Sequence, residues 1–182
     1  SLYNKKYGYY MKKNPFGERG DFITAPNISV LFSEMIALWV ISFWEKLGCP
    51  KRFNLIELGA GNGEMMSVLV NTFDKFPQFK NSCKINILEK SELLRKLQKT
   101  NIKNKKIRWL NNLNELSNFP CIFVANEFFD ALPIKQFLKK NKKWYERYVD
   151  FTNEKILEYI DIPFDMQKFE KKIKFKISYK QT

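Results

Sequence analysis

The sequence predicts an α/β fold built around a parallel sheet, and three observations carry that prediction. Continuous apolar runs of strand length alternate with segments of helical periodicity. The runs lack the alternation of a sheet with one solvated face, which indicates strands covered by helices on both sides. Finally, the run at 53–58 is followed by three glycines at alternate positions, "FNLIELGAGNGEMM", where a strand should pass into a helix.

The size and composition of the chain fit a globular protein. Its 182 residues are enough for one domain with a sizeable core, and 45% of them are hydrophobic. The longest apolar run, at 35–44, is too short to cross a bilayer, and the first residues do not form a secretory signal. We therefore expect no membrane insertion.

The net charge, the absence of histidine and the cysteine spacing limit which partners and catalytic groups the chain can have. A net charge of +13 fits either a lysine-rich solvated surface or an anionic partner. The lysines are mostly dispersed, so we favour the solvated surface and expect no DNA partner. The chain has no histidine, which excludes histidine triads, histidine metal sites and histidine general bases within it. Cys49, Cys83 and Cys121 lack a C-x-x-C spacing, so we expect reduced thiols and no metal site.

The elements follow in order along the chain. Residues 1–27 are aromatic and turn-rich. One helix is predicted over 28–48, opened by Pro26 and Asn27, with Ser29 as a possible cap and Gly48 at its end. Its periodic positions are Leu31, Met35, Leu38, Trp39 and Ser42.

Strands and helices then alternate. Strands are predicted at 53–58, 84–90, 106–110 and 121–128, helices at 62–74 and 91–99, and an antiparallel hairpin at 143–151 and 155–162. This pattern makes only one half of a doubly wound sheet, so we expect the chain to be a piece of a longer protein. The expected division is an N-terminal segment with a lid-like helix (1–52), a core (53–142), and a hairpin that begins an insertion (143–182).

The three glycines predict a ligand-binding loop. Gly59, Gly61 and Gly63 would let the backbone turn sharply and let a ligand approach the start of the next helix. The spacing is G-x-G-x-G rather than G-x-G-x-x-G, and the Lys-Ser/Thr pair of a phosphate loop is missing, so a pyrophosphate site is disfavoured. The alternative is a tight strand–helix turn without a ligand.

Two acids beside the loop specify the ligand further. Glu57 precedes the glycines and suits a cationic or amine-bearing ligand rather than a phosphate. Glu89 ends the second predicted strand, next to the loop, where a carboxylate can accept both hydroxyls of a ribose. The combination predicts a site for S-adenosyl-L-methionine (SAM). The alternative for Glu89 is a solvated strand end.

A second polar stretch, "ANEFFDALP" at 125–133, follows the fourth strand at its carboxyl end, where open α/β sheets bind ligands. We expect Asn126 at the cofactor and Glu127 and Asp130 at a cationic substrate side chain. The alternative is that Asp130 caps a following helix entered by Pro133, with the two phenylalanines in the core.

A third stretch, "GERGDFITAPNIS" at 17–29, is a turn leading to a helix. Its polar residues Gly20, Asp21 and Thr24 are candidates for a lid that contacts the cofactor.

Together these stretches resemble one family, the MidA-like SAM-dependent methyltransferases, over nearly the whole chain to about Val149. "YGYY", "GDFITAPNIS", "IELGAGNGEMM", "ILEKS", "ANEFFDALP" and "WYERYV" occur in the family's order. The resemblance implies a Rossmann-like class I methyltransferase fold, here as a partial sheet with an added hairpin, with SAM held by Glu57, the three glycines and Glu89. Proteins of the family are about twice as long, and a later strand ending in Asp-Tyr-Gly is missing here.

The function that the resemblance implies is methyl transfer from SAM to a protein arginine, and the acids Glu127 and Asp130 agree with such a cationic substrate. The mitochondrial members of the family modify a subunit of respiratory complex I during assembly, so the resemblance implies such a partner. A methyltransferase for RNA or a small molecule, and a non-catalytic SAM-binding assembly factor, stay open. The resemblance leaves a bacterial-type cytoplasmic location and a mitochondrial matrix location open, with the first preferred. A homodimer is compatible with it.

Overall fold

A computed structural model describes most of the chain, and it divides into two compact units, residues 1–131 and 132–182. The sequence-based division at 52 and 142 stays a prediction. The residues described are 2, 4, 6–12, 15–17, 20–103, 106–151 and 156–176.

The first unit contains a parallel four-stranded sheet, which confirms the predicted class of fold. Its order is β3-β2-β1-β4, and every pairing in it is parallel. Central β1 is buried at all six positions, as expected of a strand covered on both faces. The strands are β1 Phe53–Leu58, β2 Cys83–Leu88, β3 Arg108–Leu110 and β4 Cys121–Val124.

In the described part of the first unit, six α-helices connect or precede these strands, and a short 3-10 helix at Leu113–Glu115 precedes β4. Within the described residues, none of the helices combines the length and the apolar character that a membrane crossing requires. The helices are α1 Tyr9–Lys12, α2 Ala25–Ile28, α3 Val30–Lys46, α4 Glu64–Phe73, α5 Pro77–Ser82 and α6 Glu92–Asn101.

The single helix predicted from residue 28 is wrong at its start. Ser29 has an extended backbone (φ −144°, ψ 121°) and separates α2 from α3. Pro26 and Asn27 belong to the short α2, and Gly48, with φ +81°, follows the end of α3 as predicted. The residues whose spacing predicted the helix are exposed, whereas α3 buries Ser33, Ala37, Val40, Ile41 and Trp44.

A cluster of aromatic rings packs against the start of β1. The Phe79 ring lies 4.6 Å from that of Phe73, 5.3 Å from that of Phe53 and 5.5 Å from that of Trp44, measured between ring centroids. All four side chains are buried. This packing fixes the start of β1 against α3, α4 and α5, so the far end of β1 is held rigidly where the glycine loop begins.

Three strands, β2, β3 and β4, are shorter than predicted, and the differences in β2 and β4 bear on the site. β2 ends at Leu88, so Glu89 is the first residue after the strand. β4 ends at Val124, and residues 125–135 are described as a loop without a helix. The alternative in which Asp130 caps a helix entered by Pro133 is therefore wrong. Glu127 in the left-handed region (φ 47°) diverts the chain from both strand and helix.

The second unit is an antiparallel three-stranded sheet followed by a helix. The predicted hairpin is present as β6 and β7; residues 152–155, at the predicted turn and the start of its second strand, lie outside the described part. One further strand, β5, was not predicted, because its two-residue turn uses Asn141 and Lys142 at positive φ rather than the usual Asn-Gly. The elements are β5 Gln136–Lys140, β6 Lys143–Phe151, β7 Leu157–Pro163 and α7 Met166–Ile173.

Candidate cofactor-binding site

The loop between β1 and α4 has the backbone that its glycines predict. Gly59, Gly61 and Gly63 have φ of +67°, +53° and +85°, in the left-handed region that a side chain disfavours. Gly63 caps α4, and its amide donates to the carbonyl of Ala60 at 2.7 Å, which closes the turn. The sharp turn is thus confirmed, while the ligand-binding role of the glycines stays a prediction.

Protein side chains approach two of these glycines closely. A Cβ placed on Gly59 would lie 2.6 Å from Cδ2 of Phe128, which is too close for any side chain. A Cβ on Gly63 would lie 3.0 Å from Cδ1 of Ile102. These two glycines therefore also serve packing, against the loop after β4 and the residue after α6.

Gly61 differs from its neighbours in the loop. A Cβ there would reach the Phe16 ring at 3.5 Å, which is ordinary van der Waals contact. The N-terminal aromatic segment thus covers the middle of the loop, and the left-handed backbone is the main reason for a glycine at this position.

The two predicted acids do come together. Glu57 lies in β1 and Glu89 directly after its neighbour β2, and both side chains are buried, with 2% and 6% exposure. Burial, and secondarily the charge of Glu89, raises the pKa of Glu57 to about 8. Oε2 of Glu57 has no hydrogen-bond partner among the residues that the structure describes. A buried carboxyl oxygen without a partner is costly, so Glu57 stays a candidate for contact with a ligand.

Glu89 is better satisfied than Glu57. Its Oε1 accepts a hydrogen bond from the Ser91 amide at 2.9 Å, and its Oε2 accepts one from Nε2 of Gln98 at 3.2 Å. Burial raises the pKa of Glu89, while these hydrogen bonds and the Arg95 guanidinium partly offset the shift. The Lys90 amide is a further donor to this carboxylate. Since a carboxylate has about four acceptor positions, Glu89 retains capacity for one more donor, such as a ribose hydroxyl.

The segment 17–29 contributes structure around the site rather than a demonstrated contact with a cofactor. A Cβ at Gly20 would collide with the Pro15 carbonyl, so this glycine is required by its own turn. Asp21 accepts a hydrogen bond from the Tyr9 hydroxyl, which raises the pKa of Tyr9 to about 12. Thr24 donates from Oγ1 to Oδ1 of Asn27 at 3.0 Å.

Asn27 connects the segment 17–29 to the start of α4 through a hydrogen bond. Its Nδ2 donates to Oε2 of Glu64, in the first turn of α4. Nδ2 of Asn62, within the glycine loop, donates to the same Oε2 at 3.2 Å. The lid-like segment is thereby linked to the helix start that follows Gly63.

The segment after β4 presents its acids to solvent. Glu127 and Asp130 are exposed, Asn126 is half-buried, and Phe129 is 67% exposed, so the alternative of a phenylalanine pair in the core is wrong for Phe129. Burial, and secondarily the negative charge of Asp130, raises the pKa of Tyr10 in α1. The described residues contain no cluster of acids and cysteines that could hold a metal ion.

Sequence reasoning missed Gln98, which is fully buried in α6 and bonded to both the loop and Glu89. The signal was available: Gln98 lies four residues after Leu94, on the buried face of an amphipathic helix. A polar residue on that face needs buried partners.

The comparisons with known proteins agree with this geometry. Residues 35–182 match a family model described as "Putative S-adenosyl-L-methionine-dependent methyltransferase". The crystal structure of a Burkholderia thailandensis protein bound to S-adenosyl-homocysteine has a similar fold, with a TM-score of 0.72 and 26% sequence identity over 95% of this chain and 46% of that one.

Curated relatives are also much longer than this chain. The chain is 33% identical to the mitochondrial protein arginine methyltransferase NDUFAF7 of Xenopus laevis, over 82% of this chain and 40% of that protein. Its identity to the human protein of the same name is 31%, over 82% of this chain and 39% of that protein. The chain thus spans about two fifths of the length of these curated relatives. Because the family model covers most of the chain, the protein belongs to this family of SAM-dependent methyltransferases.

Proposed function

We propose that this protein transfers a methyl group from SAM to an arginine of a protein substrate. The observation that carries the proposal is the buried pair of carboxyls, Glu57 and Glu89, at the ends of adjacent parallel strands beside a left-handed glycine loop. The name of the curated relatives, protein arginine methyltransferase, supports the choice of substrate.

The residues present fit the cofactor. Glu89 retains acceptor capacity for a ribose hydroxyl beside its bonds to Ser91, Gln98 and Lys90. Glu57, with an unpaired buried oxygen, would hold a cationic group, because a positive charge is what favours ionisation of a buried acid. The amides at the start of α4, next to Gly63, face the same end of the sheet. When bound, SAM supplies a methyl group activated by its sulfonium.

The role of the protein in such a transfer is to position and desolvate the acceptor nitrogen. Glu127 and Asp130 would orient a guanidinium through charge-assisted hydrogen bonds, which are directional. Two features support this assignment. Both acids are exposed at the carboxyl end of β4, and Glu127 has a left-handed backbone, a strained state that clusters at functional sites.

The partner and the location follow from relatives rather than from the site. A subunit of respiratory complex I is our proposed substrate, in line with the resemblance of the sequence. The curated relatives from Xenopus laevis and human are named as mitochondrial, and these names support the mitochondrial alternative for location over the cytoplasm.

The test is methyl transfer from labelled SAM to a complex I subunit, with RNA as the competing acceptor. Incorporation into arginine of the protein, lost on Glu127→Gln, supports the proposal. Incorporation into RNA would replace it with the RNA methyltransferase alternative. Binding of S-adenosyl-homocysteine by calorimetry without turnover on any acceptor would favour the non-catalytic assembly factor.

A further inference from the structure

Gln98 connects four parts of the first unit through one side chain. Its Nε2 donates to the Gly61 carbonyl at 2.9 Å and to Oε2 of Glu89 at 3.2 Å. Its Oε1 accepts a hydrogen bond from the indole Nε1 of Trp109 in β3 at 2.9 Å. A side chain in α6 is thus bonded to the glycine loop, to the acid after β2 and to the third strand.

The orientation of the amide follows from the chemistry of its partners. The indole N–H can only donate, so it selects the oxygen of Gln98. The Gly61 carbonyl and the Glu89 carboxylate can only accept, so they select the nitrogen. One orientation of the amide satisfies all three contacts, and the opposite one satisfies none of them. Gln98 has no exposed surface, so a lost contact would leave a buried polar group without a replacement from water.

The backbone of Gln98 is held as firmly as its amide. A Cβ on Gly63 would lie 3.2 Å from the Cα of Gln98, so α6 packs directly on the loop. Asn101, one turn later in α6, donates from Nδ2 to the Asn62 carbonyl at 2.9 Å. The helix is therefore fixed against the loop at two points, and the amide of Gln98 extends from this fixed base to Glu89.

We propose that Gln98 is a positioning residue for the cofactor: its amide, oriented by Trp109, fixes the Glu89 carboxylate and the Gly61 carbonyl relative to each other. Glu89 then presents its remaining acceptor position to the ribose, at a set distance from the loop. This inference rests on the proposed SAM site. It adds to that site a residue that need not touch the ligand and acts through Glu89.

The test is a double-mutant cycle on binding of S-adenosyl-homocysteine, measured by calorimetry. Gln98→Met keeps the length of the side chain and removes its hydrogen bonds. It should weaken binding about tenfold, the equivalent of one hydrogen bond to a charged group. In the Glu89→Ala background the same change should weaken binding less than twofold, because the group on which Gln98 acts is gone. Gln78→Met, at an exposed position of α5, is the matched control and should leave affinity unchanged.

A pH profile separates positioning from general damage to packing. The groups around Glu89 are Glu57 from β1, Arg95 from α6 and the amides of Lys90 and Ser91. Loss of the Gln98 hydrogen bond raises the pKa of Glu89, so the affinity ratio of wild type to Gln98→Met should grow as the pH falls. A constant ratio at all pH values, or an equal loss with and without Glu89, would overturn the proposal.

Trp109→Phe provides a second variant should Gln98→Met fail to fold. It removes the donor that orients the amide and keeps an aromatic ring, so it should weaken S-adenosyl-homocysteine severalfold, again only when Glu89 is present. Full affinity in Trp109→Phe would contradict the orienting role. If the wild-type chain itself does not bind S-adenosyl-homocysteine, the proposed function fails; wild-type binding with no effect of either variant refutes the positioning role alone.

Discussion

Glu57 makes the stability of the ligand-free protein depend on pH, and Glu57→Gln should remove that dependence. In the folded protein the pKa of this carboxyl is about 8, against an ordinary value of 4.5. The folded state therefore binds more protons than the unfolded state between these two values, so stability falls as the pH rises through this window. Below about pH 4.5 the group is protonated in both states and adds no cost.

The size of the effect follows from the shift. Each pKa unit is worth about 1.4 kcal/mol, so the whole window costs roughly 5 kcal/mol, and the interval from pH 5 to 7 costs roughly 3 kcal/mol. This is a large share of the ~5–15 kcal/mol by which a domain is usually stable. Glutamine keeps the shape of the side chain and cannot ionise, so the variant should lose this part of the slope. Because the charge of Glu89 is a secondary cause of the Glu57 shift, part of this difference reports the repulsion between the two carboxyls.

The assay is denaturant unfolding of the wild type and of Glu57→Gln from pH 5 to 8. The difference in unfolding free energy should grow in favour of the variant by roughly 3 kcal/mol between pH 5 and 7. Glu45→Gln, at an exposed position of α3, is the matched control. Parallel pH curves for the wild type and Glu57→Gln would show that the carboxyl is already ionised in the ligand-free state, and the reasoning from its burial would fail.

Three further perturbations test the rest of the site. Gly59→Ala should destabilise the fold by at least ~1 kcal/mol more than Gly48→Ala in chemical unfolding, because both have positive φ but a Cβ meets the Phe128 ring only at Gly59; equal losses would mean that the ring moves aside freely. Glu89→Ala should weaken SAM and S-adenosyl-homocysteine alike, by about tenfold or more, since both carry the same ribose; a loss confined to one ligand, seen by calorimetry, would refute the ribose assignment. Glu127→Gln should slow methyl transfer to a protein arginine by about 100-fold while S-adenosyl-homocysteine binds within about twofold of wild type; wild-type transfer rates would make this acid structural.

The central strands and the glycine loop could be predicted from sequence because local signals there agree with the tertiary structure. The run at 53–58 is mostly apolar and followed by glycines, and the structure places β1 at the same residues. The glycines alone predicted the turn, and all three have positive φ.

Other elements follow from contacts that no short segment encodes. The apolar periodic pattern begins after the break at Ser29, and the α3 residues that form that pattern are exposed while a different face, from Ser33 to Trp44, is buried. β5 is held by pairing with β6 through a turn that lacks the usual glycine. The apparent periodicity of the large apolar residues therefore does not identify the buried face of α3, and the usual turn signal for β5 is missing.

The two buried acids could be predicted from the sequence, whereas the residues that pack against them and against the loop could not. Glu57 and Glu89 follow from their places at strand ends, because neighbouring parallel strands finish at the same edge of the sheet. Gln98 acts across a helix, a loop and a strand, a relation visible only in three dimensions. The ring of Phe128 over Gly59 is likewise a contact between residues almost seventy positions apart.

The position of β1 in the middle of the sheet has a consequence for the order of folding. Phe53 pairs with Cys83 of β2, 30 residues away, whereas Asn54 pairs with Cys121 of β4, 67 residues away. Closing the longer loop costs more chain entropy and is slower to search. We therefore expect β1 and β2 to associate first, which assembles the glycine loop with Glu89. The acids that follow β4 then join only in a later step, so the glycine loop and Glu89 can be assembled before Glu127 and Asp130 arrive.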